Sequence, residues 1–96
     1  MSLEALRKEI DDIDEKIVSL LHRRAVIAGD VGSVKTTAGL PIVDREREAT
    51  IMRKVASPAF SPIDPAVILR IYGEILLESR RIQQGATTLS GTGEII

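Results

Sequence analysis

From its first residues the chain places apolar side chains in steps of three and four: Leu3, Leu6, Ile10, Ile13, Ile17, Leu20, then Ile27, Val31 and Val34. That spacing puts them on one stripe of an α-helix and predicts a single amphipathic helix over residues 3 to about 36. Between Leu20 and Ile27 the seam position is Arg24, a cation on an apolar face that calls for an anionic partner. Gly39 and Pro41 stop the helix or mark the turn after it. A second helix is predicted from Asp44, with Ile51, Met52, Val55 and Ala56 on one stripe, as far as SPAFSPIDP, where three prolines forbid continuation. Asp64 and Pro65 have the character of an N-cap and first helical position. The third helix then carries Ile68, Ile71, Tyr72, Ile75, Leu76 and Ile82. After Gln84 the small, polar run GATTLSGTGEII predicts a frayed tail or the start of a linker over 85–96, leaving 1–84 as an all-α domain of three helices.

The first helix is too long for its own chain. Residues 3–36 span roughly 50 Å at 1.5 Å per residue, whereas a compact chain of 96 residues is only about 30 to 35 Å across. Unless the helix breaks near Gly29 or Gly32, another copy must cover the protruding stripe, which predicts an intertwined two-fold homodimer.

Polar residues also stand where apolar ones belong. In GLPIVDRERE, Asp44 can cap the second helix, and Arg47 and Glu48 share the stripe of Ile51 and Val55, one turn below them. Ser79 and Gln83 continue the stripe of Tyr72, Ile75 and Leu76, and Lys35 lies beside Val34. Arg24, Lys35, Arg47, Glu48, Ser79 and Gln83 thus reach core-facing stripes from all three helices. Two readings remain open: an internal salt-bridge network, or a cavity whose cations exceed its anions and which takes a small polyanion. Arg7 lies on the same flank of the first helix as Lys35 but ~42 Å away along the axis. Only antiparallel packing against a partner could bring Arg7 of one subunit to the site of the other.

Composition narrows the chemistry. There is no cysteine and one histidine, which removes disulfides, thiolate nucleophiles and Cys- or His-cluster metal sites, and suits a reducing cytoplasm. The formal net charge of -1, with one Tyr and one Phe, argues against nucleic acid as a partner. A charged N-terminus and the lack of any apolar run near ~20 residues argue against a signal peptide or membrane span. GDVGSVKT, at residues 29–36, imitates a phosphate-binding loop, but Val34 stands where that motif needs glycine, and no strand precedes it. His22 is expected to be an exposed helix residue. Of Arg23-Arg24 and Arg80-Arg81 only one member each can face inward, and no nucleophile with an adjacent base is apparent.

Three segments carry a resemblance: ALRKEIDDIDEKIVSLLHRRAVIAGDVGSVK, GLPIVDRERE after a short loop, and ILLESRRIQQ. In this order and spacing the chain resembles, over about residues 3 to 84, the all-helical chorismate mutases, found alone or fused to prephenate dehydratase and related enzymes. The resemblance implies an intertwined dimer with two equivalent sites, each borrowing an arginine that corresponds to Arg7. It implies that Arg7 and Arg24 grip the two substrate carboxylates with Ser79 assisting, and that Arg47 belongs to the main pocket. Lys35 and Gln83 would donate to the ether oxygen, and Glu48 with the backbone near Asp44 would contact the ring hydroxyl. The catalytic set is then Arg24, Lys35 and Gln83, without metal or cofactor. The loop at 36–40 and the SPAFSPID linkage depart from the family pattern without touching these positions.

The implied reaction is the intramolecular [3,3] rearrangement of chorismate to prephenate in phenylalanine and tyrosine biosynthesis, which needs a held conformation and stabilised charge rather than a nucleophile. A lysine ammonium and a neutral amide both donate near neutral pH, and the amide does not titrate, so activity is expected to stay roughly flat between about pH 5 and 8. Three alternatives remain. An isochorismate pyruvate lyase shares the fold, but Glu48 suits the ring hydroxyl of chorismate better. An amino-chorismate mutase is a smaller variation. A non-catalytic dimerisation or regulatory module is disfavoured by the completeness of the inward polar set. A fused or associated enzyme of the aromatic pathway is compatible with all of them.

Overall fold

A computed structural model of the chain describes residues 1–57 and 62–92. Three helices follow in order: α1 (Leu3–Ala38), α2 (Arg45–Val55) and α3 (Pro65–Thr92). Ser2 caps α1, its hydroxyl accepting from the Ala5 amide at 3.1 Å. At the other end Gly39 adopts φ 69°, and its N–H and that of Leu40 return to the Thr36 and Lys35 carbonyls. This left-handed closure is open to glycine without Cβ strain and turns the chain toward Pro41. Asp44 caps α2 through its carboxylate, which accepts from the Arg47 amide at 3.0 Å. Asp64 similarly receives the Ala66 amide at 2.9 Å ahead of Pro65.

α1 runs through Gly29 and Gly32 without a break, as the single helix expected from the sequence requires, since one glycine costs a helix only about 1 kcal/mol and the turns on either side hold it. One boundary differs from the sequence expectation. α3 continues past Gln84 to Thr92, where the composition change predicted a tail. Nothing in 85–92 is a proline, so each further residue adds a hydrogen bond to a helix already nucleated. The remainder of the predicted tail, 93–96, and residues 58–61 of the SPAFSPID linkage lie outside the described residues. Among the described residues no helix is long and apolar enough to cross a membrane.

α1 packs along α3, and α2 packs on α3 beside it. Ala28, Val55 and Leu76 form the buried apolar centre, and Ser79 and Gln83 are the buried polar residues. Small residues of α1 face this centre. Gly32 is buried, and a Cβ built on it would lie 2.7 Å from both Cα and carbonyl O of Gln83. The α1 and α3 backbones therefore touch here, at a separation that only glycine permits.

Among the described residues the predicted stripe of α1 finds no cover. Leu6, Ile10, Ile13, Ile17 and Leu20 are all exposed. The radius of gyration is 17.0 Å and the longest extent 54 Å, against about 12 to 13 Å for a compact chain of this length. The accessible surface of 7664 Å² exceeds the ~5,400 Å² of a compact monomer of this mass by roughly 2,200 Å².

The two helical glycines make a test of the α1–α3 approach. Gly32→Ala forces the backbones apart, and should lower stability by about 1 to 3 kcal/mol. At Gly29 a Cβ would meet only Ile82 Cγ2, at 3.9 Å, so Gly29→Ala should be neutral or stabilising by about 0.5 to 1 kcal/mol through helix propensity. Urea denaturation at one fixed protein concentration compares them, and equal effects would contradict the close crossing.

Candidate active site

Where the three helices converge they enclose an open cavity of about 260 Å³. α1 contributes Arg24, Ile27, Ala28, Val31 and Lys35; the connection contributes Ile42 and Asp44; α2 contributes Arg47, Glu48 and Ile51; and α3 contributes Leu76, Ser79 and Gln83. The volume lies just below the ~300–1,000 Å³ of pockets for drug-sized ligands, and suits a small compact acid. Three cations line it against two carboxylates. Of the eight site residues expected from the sequence, Arg24, Lys35, Asp44, Arg47, Glu48, Ser79 and Gln83 all meet at this cavity. Arg7 does not, being exposed on α1 several turns away.

The polar groups are held in three clusters. Lys35 Nζ donates to the Ile42 carbonyl and to Gln83 Oε1, both at 2.7 Å. Three N–H donors on an ammonium leave one beyond these two. Accepting from Lys35 also fixes the Gln83 amide, with its oxygen turned to the lysine and its NH₂ group away from it. In the second cluster Arg24 Nη1 donates to Ser79 Oγ, and the Ser79 hydroxyl donates to the Ile75 carbonyl one turn back at 3.0 Å. Arg24 thus finds a hydroxyl rather than the anionic partner its seam position calls for, and its positive charge stays uncompensated by any ion pair of this cluster.

The third cluster concerns Glu48. Arg80 Nε donates to Glu48 Oε2 at 2.8 Å and Arg80 Nη2 to Glu48 Oε1 at 2.5 Å, a two-pronged pair between α3 and α2. The hydrogen bonds from Arg80 hold the Glu48 carboxyl below the usual glutamate range. Partial burial opposes this, the charges of Arg80 and Lys35 add to it, and Asp44 works against it. The same pairing raises the Arg80 guanidinium.

Arg47 departs from the expectation of a core-facing residue. It lines the cavity but is exposed, at the mouth, because the first turn of α2 projects beyond the end of the buried stripe. The sequence singled out neither the Ile42 carbonyl, which carries no side-chain signal, nor Arg80, visible only as one member of a doublet. Its neighbour Arg81 pairs with Glu78 on the surface at 2.5 Å, and His22 is exposed, as expected. Among the described residues no group of acidic and histidine side chains is arranged to hold a metal ion, and no buried side-chain polar atom lacks a partner.

Comparison with known proteins bears on these features. The family profile of chorismate mutase type II matches residues 6–84. The chain is 41% identical over 78 residues to the bifunctional chorismate mutase/prephenate dehydratase of Aquifex aeolicus, covering 77% of this chain and 22% of that protein. Such bifunctional relatives are therefore more than four times as long as the segment they share with it. With the chorismate mutase of Methanocaldococcus jannaschii it shares 35% identity over 83 residues, 85% of this chain and 83% of the relative. Among solved structures, a chorismate mutase from Helicobacter pylori in complex with prephenate superposes with a TM-score of 0.78 at 30% identity, covering 90% of this chain and 93% of the other.

The Glu48–Arg80 pair makes stability depend on pH. Since the folded value of Glu48 is depressed, its contribution is complete above the usual glutamate range and is lost as pH falls through the lower folded value. The urea midpoint of the wild type is expected to exceed that of Glu48→Gln at pH 7, with the gap closing below about pH 4. A gap of constant size from pH 7 to 3 would contradict the depressed value.

Proposed function

The chain belongs to the chorismate mutase type II family, and on that premise we propose that its cavity converts chorismate to prephenate in the biosynthesis of phenylalanine and tyrosine. The observation that carries this reading is the pair of donors at the cavity wall, Lys35 and Gln83 locked together at 2.7 Å. Beside them stands the Arg24–Ser79 pair, in which the cation meets a neutral hydroxyl rather than a carboxylate.

The rearrangement needs no nucleophile and no proton transfer. As the ether C–O bond breaks, the new C–C bond forms between the pyruvyl methylene and the ring, within one molecule. The barrier falls when the flexible dianion is held compact and when negative charge growing on the ether oxygen meets fixed donors. We assign the third Lys35 N–H and the Gln83 NH₂ group to that oxygen. Arg24, with Ser79 orienting it, binds one carboxylate, and a planar guanidinium suits this because it can grip both carboxylate oxygens. Arg47 stands at the mouth, where it attracts the dianion. Glu48, ionised, accepts from the ring hydroxyl, together with the backbone near Asp44.

The second carboxylate is assigned to Arg7 of the partner subunit in an intertwined two-fold homodimer. The support is the uncovered stripe of α1 and the excess surface. Burying roughly 2,200 Å² on each of two chains corresponds to an obligate interface. The chemistry calls for no cofactor, and a cysteine-free chain is suited to the cytoplasm. The bifunctional relatives fit a protein in which another enzyme of the aromatic pathway is fused to this segment or associates with it.

Incubation with chorismate, with isochorismate in parallel, followed by NMR of the products, tests the activity. Prephenate from chorismate is expected. Pyruvate and salicylate from isochorismate alone would transfer the assignment to a lyase, and no turnover of either would leave a non-catalytic helical dimer. Lys35→Ala and Gln83→Ala should each lower kcat by about 10² to 10³, the usual cost of one lost donor to developing charge. Activity should stay roughly flat between about pH 5 and 8, since Glu48 is ionised throughout that window.

The shared site has its own test. Arg7→Ala and Lys35→Ala should each be nearly inactive as pure proteins, but mixing and re-forming dimers combines one intact pocket with one intact arginine. About a quarter of wild-type activity should return, as half the dimers are mixed and each has one competent site. No recovery would contradict the sharing of Arg7.

A further inference from the structure

Glu48 forms a wall between two spaces. One face lines the cavity described above, and the other lines a separate groove between α2 and α3 that also takes in Arg45, Arg70, Glu74 and Arg80. Arg80 lines this outer groove and is not among the residues that line the cavity. It thus approaches Glu48 from behind, through a two-pronged pair with contacts of 2.8 and 2.5 Å. We propose that Arg80 is a positioning residue of the rearrangement, holding Glu48 from outside the cavity as a fixed, ionised acceptor for the ring hydroxyl of the substrate.

A bidentate pair fixes the orientation of a carboxylate as well as its charge. A glutamate joined to a single donor still turns about its terminal torsion, whereas two parallel N–H···O bonds set the carboxylate plane. An ionised carboxylate has about four lone-pair positions, and a fork–fork contact occupies one on each oxygen. The others remain to accept from a hydroxyl on the cavity side. Placement on α3 makes this possible. Ser79 faces the cavity, and the next residue is turned about 100° around the helix. Arg80 consequently reaches Glu48 without entering the space the substrate needs. Its positive charge also keeps Glu48 from taking up a proton, and a protonated carboxyl would offer a donor to the hydroxyl in place of an acceptor.

Glu48 does not depend on Arg80 alone for its charged surroundings. Lys35 faces it from α1. Asp44, Arg45 and Arg47 stand at the start of α2, and Arg70, Glu74 and Arg80 line the groove from α3. Lys35 lowers its pKa and Asp44 raises it, but the hydrogen bonds from Arg80 are the largest influence. Removing Arg80 should therefore move the acid limb of activity upward in pH without abolishing turnover.

This assignment rests on the mutase reading, so wild-type turnover of chorismate is measured first, and its absence overturns both. With turnover established, steady-state constants are determined from pH 3.5 to 8 for wild type, Arg80→Gln, Arg80→Lys, Glu48→Gln and the double variant Arg80→Gln/Glu48→Gln. Arg80→Gln should raise KM roughly tenfold with a smaller fall in kcat, and move the acid limb of kcat/KM to higher pH. Arg80→Lys keeps the charge but loses the fork. It should leave the limb near its wild-type position while still raising KM. In the Glu48→Gln background, adding Arg80→Gln should change KM by less than about twofold. ¹³C NMR titration of the Glu48 carboxyl gives a readout independent of turnover, and its midpoint should rise in folded Arg80→Gln.

An unchanged KM and acid limb in Arg80→Gln would overturn the proposal while leaving the mutase reading intact. So would an equal loss with and without Glu48, which would mark Arg80 as a residue of general stability.

Discussion

Everything at the cavity depends on how closely two helices can pass. At Gly32 the α1 backbone lies against that of Gln83, where even one methyl group would be 2.7 Å from the α3 main chain. One turn further along α1 is Lys35, whose ammonium meets the Gln83 amide at 2.7 Å. A wider crossing would place these groups beyond hydrogen-bond reach, since direct contact is lost over a few tenths of an ångström. Packing and chemistry are set at the same point of the structure. The absent side chain of α1 brings together the two donors proposed to meet the breaking ether bond.

The polar groups at this crossing show how a small domain tolerates buried polarity. Ser79 and Gln83 are buried, yet each is tied to a cation from α1. The two readings left open by the sequence, a self-satisfied network and a cation-rich cavity, turn out to be compatible. Ser79 and Gln83 satisfy Arg24 and Lys35 with neutral oxygens, which meets the hydrogen-bonding demand without cancelling the charge. Glu48 is the exception, since its charge is matched by Arg80 from outside. The cavity retains the positive field suited to a dianion while none of its buried side-chain polar atoms, among the described residues, is left unpaired.

A second constraint comes from length. A helix of 36 residues cannot lie within a 96-residue globule, and the chain accordingly extends 54 Å with the apolar stripe of α1 bare. A stripe of this size in water is a strong drive to association. In the proposed dimer the same helix that supplies Arg24 and Lys35 to one site carries Arg7 to the other, so the surplus length of α1 becomes the means of completing a pocket. The hydrophobic contact and the charge of the site are then joined in one element.

Much of this was legible from the sequence because the responsible forces are local. The three-and-four spacing marks α1. Asp44, Asp64 and Gly39 cap or close their helices within a few residues, and the inward stripes name six of the polar residues that line the cavity. The excess of α1 over the chain's own diameter needs only the rise per residue. What remained hidden depends on how helices are rotated and spaced against one another. Composition predicted an end at Gln84, but the helix continues to Thr92 because nothing there interrupts its hydrogen bonds. Arg80 differed from Arg81 only after the α2–α3 packing turned it to Glu48, 32 residues away in the chain. The role of Gly32 became visible only when a second backbone lay against it. The sequence by itself determined the three helices, the caps at Asp44 and Asp64, the closure at Gly39 and most of the kinds of group presented inward, since these follow from neighbours within one or two turns. Tertiary structure alone decided which groups pair and at what distance, because hydrogen bonds and close contacts between helices depend on ångström-scale placement that no local pattern encodes.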